Sequence, residues 1–237
     1  MIHTFIKLIS AAIQILTLVF IGIRRFTVFF ALVFLGYLCL ATQGWSLFSW
    51  LVEYYVRNHD WTRSEIGLVY GSIALGVGIA GSVIGGLWAG WLISKNVVDG
   101  TLRVVMYGTI VLLPTAGLLT VVSDPWLGII LLIPVTFCMA MPPGLMMATL
   151  QAIAPNELRG QMVAFYLIAV NFLAYTFAPT LPAMMSDFIF ADELALGKSI
   201  SILAVFNYSL AAICFYFGLR QYRLAIEAAQ AWRVPIK

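Results

Sequence analysis

Six apolar stretches, each long enough to cross a lipid bilayer, limit what this chain can fold into more than any other feature. A membrane-spanning helix needs about 20 predominantly apolar residues. With 62% hydrophobic and 10% charged residues over 237 positions, the chain has no room for a sizeable soluble domain. Its apolar runs do not alternate with polar residues as barrel strands do. We therefore predict an all-α polytopic membrane bundle of six transmembrane helices, at 26–52, 66–93, 104–122, 126–150, 162–185 and 200–219.

Signals in the loops mark where two of these helices begin. Thr62 and Glu65 have the spacing of a capping box, and Asp124 stands before Pro125 as an N-cap stands before a first-turn proline. The sequence thus predicts helix starts directly after two short loops.

The segment before the first span allows two interpretations. Residues 1–25 are apolar except for a narrow polar stripe at helical spacing and a closing Arg24-Arg25 pair. Such a helix either spans the membrane with its stripe against other helices or lies on the membrane surface. We divide the chain into this linker-like helix (1–25), a six-helix bundle (26–219) and a tail (220–237).

Positive charge in the loops orients the predicted bundle. If Arg24 and Arg25 are cytoplasmic, six alternating spans place nine Lys and Arg inside and three outside. The positive-inside rule then assigns tail 220–237 to the cytoplasm. We expect an integral protein of a bacterial inner membrane, with the lipid bilayer as its surroundings.

Several classes of function are disfavoured by what the spans lack. Their central parts contain no Asp, Glu, Lys, Arg or His, and the chain has two histidines and no HExxH motif. The three cysteines lie in apolar stretches without metal-ligand spacing. A net charge of +3 is too small to indicate a nucleic-acid partner. We expect no enzyme, no cofactor and no metal.

The second predicted span has small residues along one face. Gly71, Gly78, Gly81 and Gly85, with two alanines between and after them, recur every three or four residues. Small residues allow helix backbones to approach closely in lipid. We interpret them as a helix-packing interface, used either inside this bundle or to dock another polypeptide.

Other spans carry polar and methionine residues that are candidates for function. The double proline Pro142-Pro143 should break the fourth span beside Met139 and Met141. The first span has Gln43, Ser46 and Trp50 on one face, and the fifth has an i, i+4 pair, Asn171 and Tyr175. Hydrogen bonding between helices and contact with a solute both remain open for these side chains.

Three motifs, in this order, resemble one family of carriers. They are WTRSEIG at 61–67, GGLWAG at 85–90 and APNELRGQ at 154–161. Together they are similar to the second half of a major facilitator superfamily carrier, with the spinster-like branch the nearest in pattern, and 171–187 also resembles that branch. The resemblance covers about 26–219.

This resemblance implies a fold and a set of site residues. The six spans would be helices seven to twelve of a twelve-helix carrier, and the first and fourth spans would line a central cavity. The implied solute contacts are Gln43, Ser46, Trp50, Met139 and Met141, and we add the fifth-span pair Asn171 and Tyr175 as candidates for the same cavity. The glycine face would meet the absent half, and Glu157 with Arg159 would form a gate pair in an inner loop.

One departure from the family pattern keeps a second hypothesis open. Gly90 and Trp91 stand where the family usually has an aspartate and an arginine that hold the cytoplasmic gate. Our first hypothesis is half of a transporter for an amphipathic or organic-anion solute, which requires a second bundle or a homodimer partner. The alternative is a carrier-derived accessory subunit of a larger membrane complex that transports nothing. Substrate, coupling ion and direction do not follow from the sequence.

Overall fold

The described part of the protein is helical, as predicted. The structure is a computed structural model that describes residues 27–154 and 158–230, and no strand occurs within these ranges. Six candidate membrane spans are long and apolar enough to cross a bilayer, which confirms the all-α polytopic class. The helices are α1 (Thr27–His59), α2 (Arg63–Ser94), α3 (Gly100–Leu119), α4 (Pro125–Ala140), α5 (Pro142–Ile153), α6 (Arg159–Met184) and α7 (Leu196–Gln230).

Both predicted helix starts are present. The Thr62 hydroxyl accepts from the Glu65 backbone N–H at 3.3 Å, and the Glu65 carboxylate accepts from the Thr62 N–H at 2.9 Å. The Asp124 carboxylate accepts from the Trp126 N–H at 2.9 Å, with Pro125 in the first turn. These caps pair backbone N–H groups that the first turn of a helix leaves without partners.

The fourth span is broken, as the double proline predicts. Helix α4 ends at Ala140 and α5 begins at Pro142, with Met141 between them. Neither Pro142 nor Pro143 has an N–H, so two links of the helical hydrogen-bond ladder are lost at this point. The break lies well inside the candidate span Pro125–Ile153.

Helix α2 lies at the edge of the bundle. Helix α1 packs mainly against α7 and α6, and α3 packs against α7 and α4. Helix α2 contacts α4 and α3, and only four of its residues are buried: Ile66, Gly81, Gly85 and Ala89. Most of α2 therefore presents apolar side chains outward.

The last helix passes the expected end of the bundle without a break. Helix α7 continues through 220 to Gln230, so the predicted tail starts as an extension of this helix, and 231–237 lie outside the described residues. Asp99, whose side chain is 2% exposed, accepts from the Arg103 Nε at 2.8 Å and from the Arg223 Nε at 2.6 Å. This inner ion cluster joins the start of α3 to the extension of α7. The segment 1–25 also lies outside the described residues.

Candidate functional site

A cavity of about 470 Å³ opens between α1, α2, the α4–α5 break and α6. Its wall is apolar and aromatic, with one side-chain amide. The lining residues are Tyr37, Leu40, Ala41, Gly44, Trp45, Phe48, Tyr70, Met139, Pro142, Pro143, Met147, Leu167 and Asn171. Cavities of this size and character bind small molecules in other proteins.

The wall that α1 supplies is one helical face. Tyr37, Ala41, Gly44, Trp45 and Phe48 follow one another at spacings of four, three, one and three residues, which places them on one side of a helix. This face is aromatic. It lies opposite the face that carries the polar residues of the same helix.

The break in the fourth span supplies the facing wall. Helix α4 contributes Met139 to the wall, and α5 contributes Pro142, Pro143 and Met147. Met139 therefore lies on the cavity wall, and its contact with a solute stays a prediction.

One close contact narrows the cavity where α1 and α4 meet. A Cβ placed on Gly44 would lie 2.6 Å from the Met139 Cε. Glycine at 44 therefore leaves room for the methionine methyl group against the backbone of α1. A larger residue would displace that flexible side chain.

Of the two predicted α6 residues, the structure places one on the wall and the other behind it. Asn171 lines the cavity, and its Nδ2 donates to the Leu167 carbonyl at 2.8 Å. Tyr175 packs on Trp45 with ring centroids 4.2 Å apart. Tyr175 thus supports a wall residue.

Gln43 and Ser46, two of the predicted solute contacts, do not line this cavity. Both are 2% exposed. The Gln43 Nε2 donates to the Ile200 carbonyl at 3.3 Å, and its Oε1 accepts from the Asn207 Nδ2 at 3.3 Å. The polar face of α1 is turned toward α7 because buried polar groups need hydrogen-bond partners.

Met141 and Trp50, two further predicted solute contacts, also lie outside the cavity wall. Met141 is 4% exposed and packs against α2, where a Cβ on Gly85 would lie 2.7 Å from its Cγ. The Trp50 Nε1 donates to the Pro179 carbonyl at 3.0 Å. Trp50 therefore holds α1 against the proline-containing part of α6.

Two buried hydroxyls have no hydrogen-bond partner within the described ranges. They belong to Ser46 on α1 and Tyr208 on α7. Both face the bundle interior. Ser46 follows Gln43 by three residues, and Tyr208 directly follows Asn207. They are not part of the cavity wall.

The glycine face of α2 divides into a packed and an open part. A Cβ on Gly81 would collide with the Phe137 carbonyl. A Cβ on Gly78 would lie 3.8 Å from the Thr136 Cγ2, which is ordinary van der Waals contact. With Gly85 against Met141, these glycines pack against the chain's own fourth span. Docking of another polypeptide is thus sterically closed at Gly81 and Gly85. Space remains open at Gly71.

The structure describes Arg159, one of the two residues of the predicted gate pair. Glu157 lies outside the described residues. The Arg159 Nε donates to the carbonyl of Ala154, the residue directly after α5, at 3.3 Å. A contact between the two side chains stays a prediction.

Sequence reasoning missed the aromatic part of the site. Tyr37, Trp45, Phe48 and Tyr70 line the cavity, yet in an apolar span such residues look like ordinary packing. The spacing of the α1 aromatics was the available signal. The described residues contain no cluster of three or more His, Cys, Asp or Glu that could hold a metal ion.

Comparisons with known proteins agree with this architecture. The sequence profile of the Major Facilitator Superfamily matches residues 7–179. An MFS-type efflux pump of Mycolicibacterium smegmatis is 26% identical over 200 residues, which are 82% of this chain and 45% of the pump. A crystal structure of a bacterial homolog of the human lysosomal transporter Spinster, inward-facing and unoccupied, has the same fold. It matches with a TM-score of 0.61 at 17% identity, over 90% of this chain and 50% of that one. The chain spans about half the length of these relatives.

Proposed function

Because this chain belongs to the major facilitator superfamily, we propose that its bundle is half of a carrier for an amphipathic solute and works with a second six-helix bundle. The second bundle is supplied by another polypeptide, by a second copy or by a further part of the same protein. Carriers of this architecture move two bundles about a site near the middle of the membrane. The proposal assigns this chain one side of that site.

The observation that carries the proposal is the cavity between α1, α2, the α4–α5 break and α6. Its wall residues Tyr37 to Phe48 lie in the middle of the 33-residue helix α1, at mid-membrane depth for a spanning helix. Broken helices at this depth are tolerated where they are buried in protein or line a water-filled cavity. A half-site enclosed on one side by this chain fits a solute path that a second bundle completes.

The composition of the wall favours an amphipathic solute over an organic anion. An anion held here would need a cationic or strongly donating partner. The lining residues offer one amide, at Asn171, two phenol groups, at Tyr37 and Tyr70, and one indole N–H, at Trp45. An organic-anion carrier therefore requires positive charge from the second bundle.

Flux measured against protein density tests the need for a second bundle. The chain is reconstituted in liposomes at about one copy per vesicle and at tenfold higher density, with NBD-labelled lysophosphatidylcholine as the amphipathic probe and carboxyfluorescein as the anionic probe. A tandem of two fused copies is the control, since six spans leave both ends of the bundle on one side of the membrane. We expect flux of the amphipathic probe from the tandem, and none from single copies.

The outcomes separate the parts of the proposal. Equal flux per copy at both densities, without the tandem, contradicts the need for a second bundle. Flux of carboxyfluorescein alone would favour the organic-anion alternative. If neither single chain nor tandem moves either probe, a second copy is not the missing half, and the partner in the native membrane must be identified.

A specific observation keeps the accessory-subunit alternative in view. Gly90 and Trp91 replace the charged pair of the family's inner gate, and both are exposed on α2. The nearby acid, Asp99, is bound to Arg103 and Arg223 within this chain. Native-membrane purification in mild detergent discriminates the two functions: a large hetero-complex without flux of either probe favours the accessory subunit, whereas a two-bundle particle favours the carrier.

The proposal includes an orientation and a location. The extension of α7 and the inner ion cluster lie on the cytoplasmic side of a bacterial inner membrane, because nine basic residues fall on that side and three on the other in a six-span topology. Residues 26–219 form the membrane bundle, and 220–237 belong to the cytoplasm. Cysteine labelling from the two sides, described below, tests this orientation.

A further inference from the structure

We propose that this half of the cavity holds an uncharged, flat ring system of the solute, and that Gly44 with Met139 sets how far the ring can enter. The inference rests on the proposed function, since it names the part of the solute that the same cavity binds. It concerns what this bundle contacts, and leaves any charged group of the solute to the second bundle.

The absence of charge from the wall carries the first step. None of the thirteen lining residues within the described part of the chain is an Asp, Glu, Lys, Arg or His. An ionised group moved from water to such a wall loses hydration without gaining a counter-ion. The segment of the solute that rests on this wall is therefore uncharged.

The arrangement of aromatic side chains carries the second step. Trp45 is held on one side by Tyr175, with centroids 4.2 Å apart, and on another by Phe48, at 5.7 Å and nearly perpendicular. Phe48 in turn lies 6.5 Å from Tyr70. Aromatic rings attract one another in offset and edge-to-face geometry. A wall of fixed rings therefore favours a flat ring over a flexible acyl chain, which would lose more conformational entropy on binding.

Four polar groups of the lining residues indicate where a ring substituent fits. They are the hydroxyls of Tyr37 and Tyr70, the indole N–H of Trp45 and the amide of Asn171. The Asn171 Nδ2 is bonded to its own helix, which leaves its carbonyl oxygen as the acceptor that it offers. Tyr37 is stacked on Tyr166 with planes 13° apart, so its ring is held in place. A hydroxyl, ether or carbonyl group on the ring could bond here without a net charge.

The contact between Gly44 and Met139 carries the step about size. A Cβ on Gly44 would lie 2.6 Å from the Met139 Cε, and no backbone atom lies within 4 Å of that position beyond the helix itself. Alanine at 44 therefore displaces a flexible side-chain end and leaves the backbone in place. The displaced methyl group takes up space at the point where α1 and α4 meet, and the cavity becomes shallower.

Photolabelling with two matched probes tests the inference. Benzophenone is uncharged, whereas 4-benzoylbenzoate has the same two rings and a carboxylate. Both insert into C–H bonds on irradiation and react readily with methionine. The chain is irradiated in nanodiscs over a range of probe concentrations, and labelling is quantified by mass spectrometry at Met139 and Met147 in the cavity. Met184, 51% exposed and outside the lining, reports labelling from the lipid.

We expect benzophenone to label Met139 and Met147 saturably, and Met184 in linear proportion to concentration. The carboxylate probe should label the two cavity methionines at least about tenfold less. Equal labelling by the carboxylate probe would overturn the uncharged-ring inference. Cavity labelling that is no more saturable than labelling of Met184 would overturn it as well.

Variants test the size step. Gly44→Ala should raise the half-saturating concentration of benzophenone at Met147 by about tenfold, the order expected for overpacking. Adding Met139→Ala in the same chain should restore binding, because it removes the displaced side chain. Phe188→Ala, at a residue 80% exposed and outside the cavity, is the matched control and should change nothing. Failure of the double variant to recover while it remains folded would refute the size step.

This experiment fails separately from the test of transport. Photolabelling requires binding only, so ring binding without flux from the single chain or the tandem would leave this inference standing and show that a second copy is not the missing half. Flux of an amphipathic probe without saturable ring labelling would remove this inference and leave the carrier function standing.

Discussion

Neutralising Asp99 should destabilise the bundle more than neutralising Glu53, an acid that is less buried. The Asp99 carboxylate is 2% exposed and accepts one hydrogen bond from Arg103 and one from Arg223. Asn at this position keeps the size and removes the charge. A hydrogen bond to a charged group contributes about 1.5–3 kcal/mol. Because the two arginines are 31% and 50% exposed, water restores part of the loss for them. We expect Asp99→Asn to lower the free energy of unfolding by about 2–4 kcal/mol.

Glu53 is a matched control, because it also joins two arginines. It accepts from the Arg57 Nε at 2.8 Å and from Arg63 at 3.1 Å. Here the acid is 25% exposed, and Arg63 is 72% exposed. Ion pairs in water contribute about 0–1 kcal/mol. Glu53→Gln should therefore change the free energy of unfolding by less than about 1 kcal/mol.

Unfolding in mixed micelles measures both variants under identical conditions. The purified protein in dodecylmaltoside is titrated with dodecyl sulfate, and loss of helix is followed by circular dichroism. Amide hydrogen exchange over 220–230 is measured in parallel, since release of Arg223 should increase exchange in the extension of α7. Equal destabilisation by Asp99→Asn and Glu53→Gln would show that burial of the Asp99 carboxylate does not strengthen its ion pairs.

Three further predictions concern packing, the polar face and orientation. Gly81→Leu should abolish the monodisperse folded protein in gel filtration, because its side chain would collide with a carbonyl of the fourth span, whereas Gly71→Leu has open space and should fold normally. Gln43→Ala should lower the free energy of unfolding by about 1 kcal/mol and leave benzophenone labelling unchanged, since the amide joins α1 to α7; loss of labelling with unchanged stability would contradict its position. Lys95→Cys should react with a membrane-impermeant maleimide only in inside-out vesicles, and Lys198→Cys only in intact cells. The three native cysteines are buried and give little background. The reverse labelling pattern would contradict the proposed orientation.

The fold class could be predicted because it depends on the length and hydrophobicity of whole segments. A run of about 20 apolar residues has few alternatives to a membrane helix, and the double proline at 142–143 fixes a break without reference to neighbouring helices. The extent of the helices was less predictable. The first span was expected to end at 52, yet α1 continues to His59, since its last turns are stabilised by loop contacts such as the Asn58 bond to the Leu194 carbonyl.

The site was partly predictable, and its failures share a physical cause. Met139 and Asn171 lie on the wall, while Gln43 and Ser46 face the interior. In water, exposed polar residues often mark a binding surface, but in a bilayer polar side chains turn toward protein partners. The polar residues of α1 therefore mark the contact between α1 and α7. The cavity itself is marked by the aromatic face that includes Trp45.

The length of α7 has a practical consequence for imaging this protein. Its 35 residues rise by about 52 Å at 1.5 Å per residue, well beyond the ~30 Å hydrocarbon core. Its extension is bound to the α3 start through Arg223 and Asp99. A soluble helical protein fused in register at Gln230 would then keep a fixed angle to the bundle. Such a rigid handle would give particle images of a small membrane protein a feature outside the micelle by which to align them.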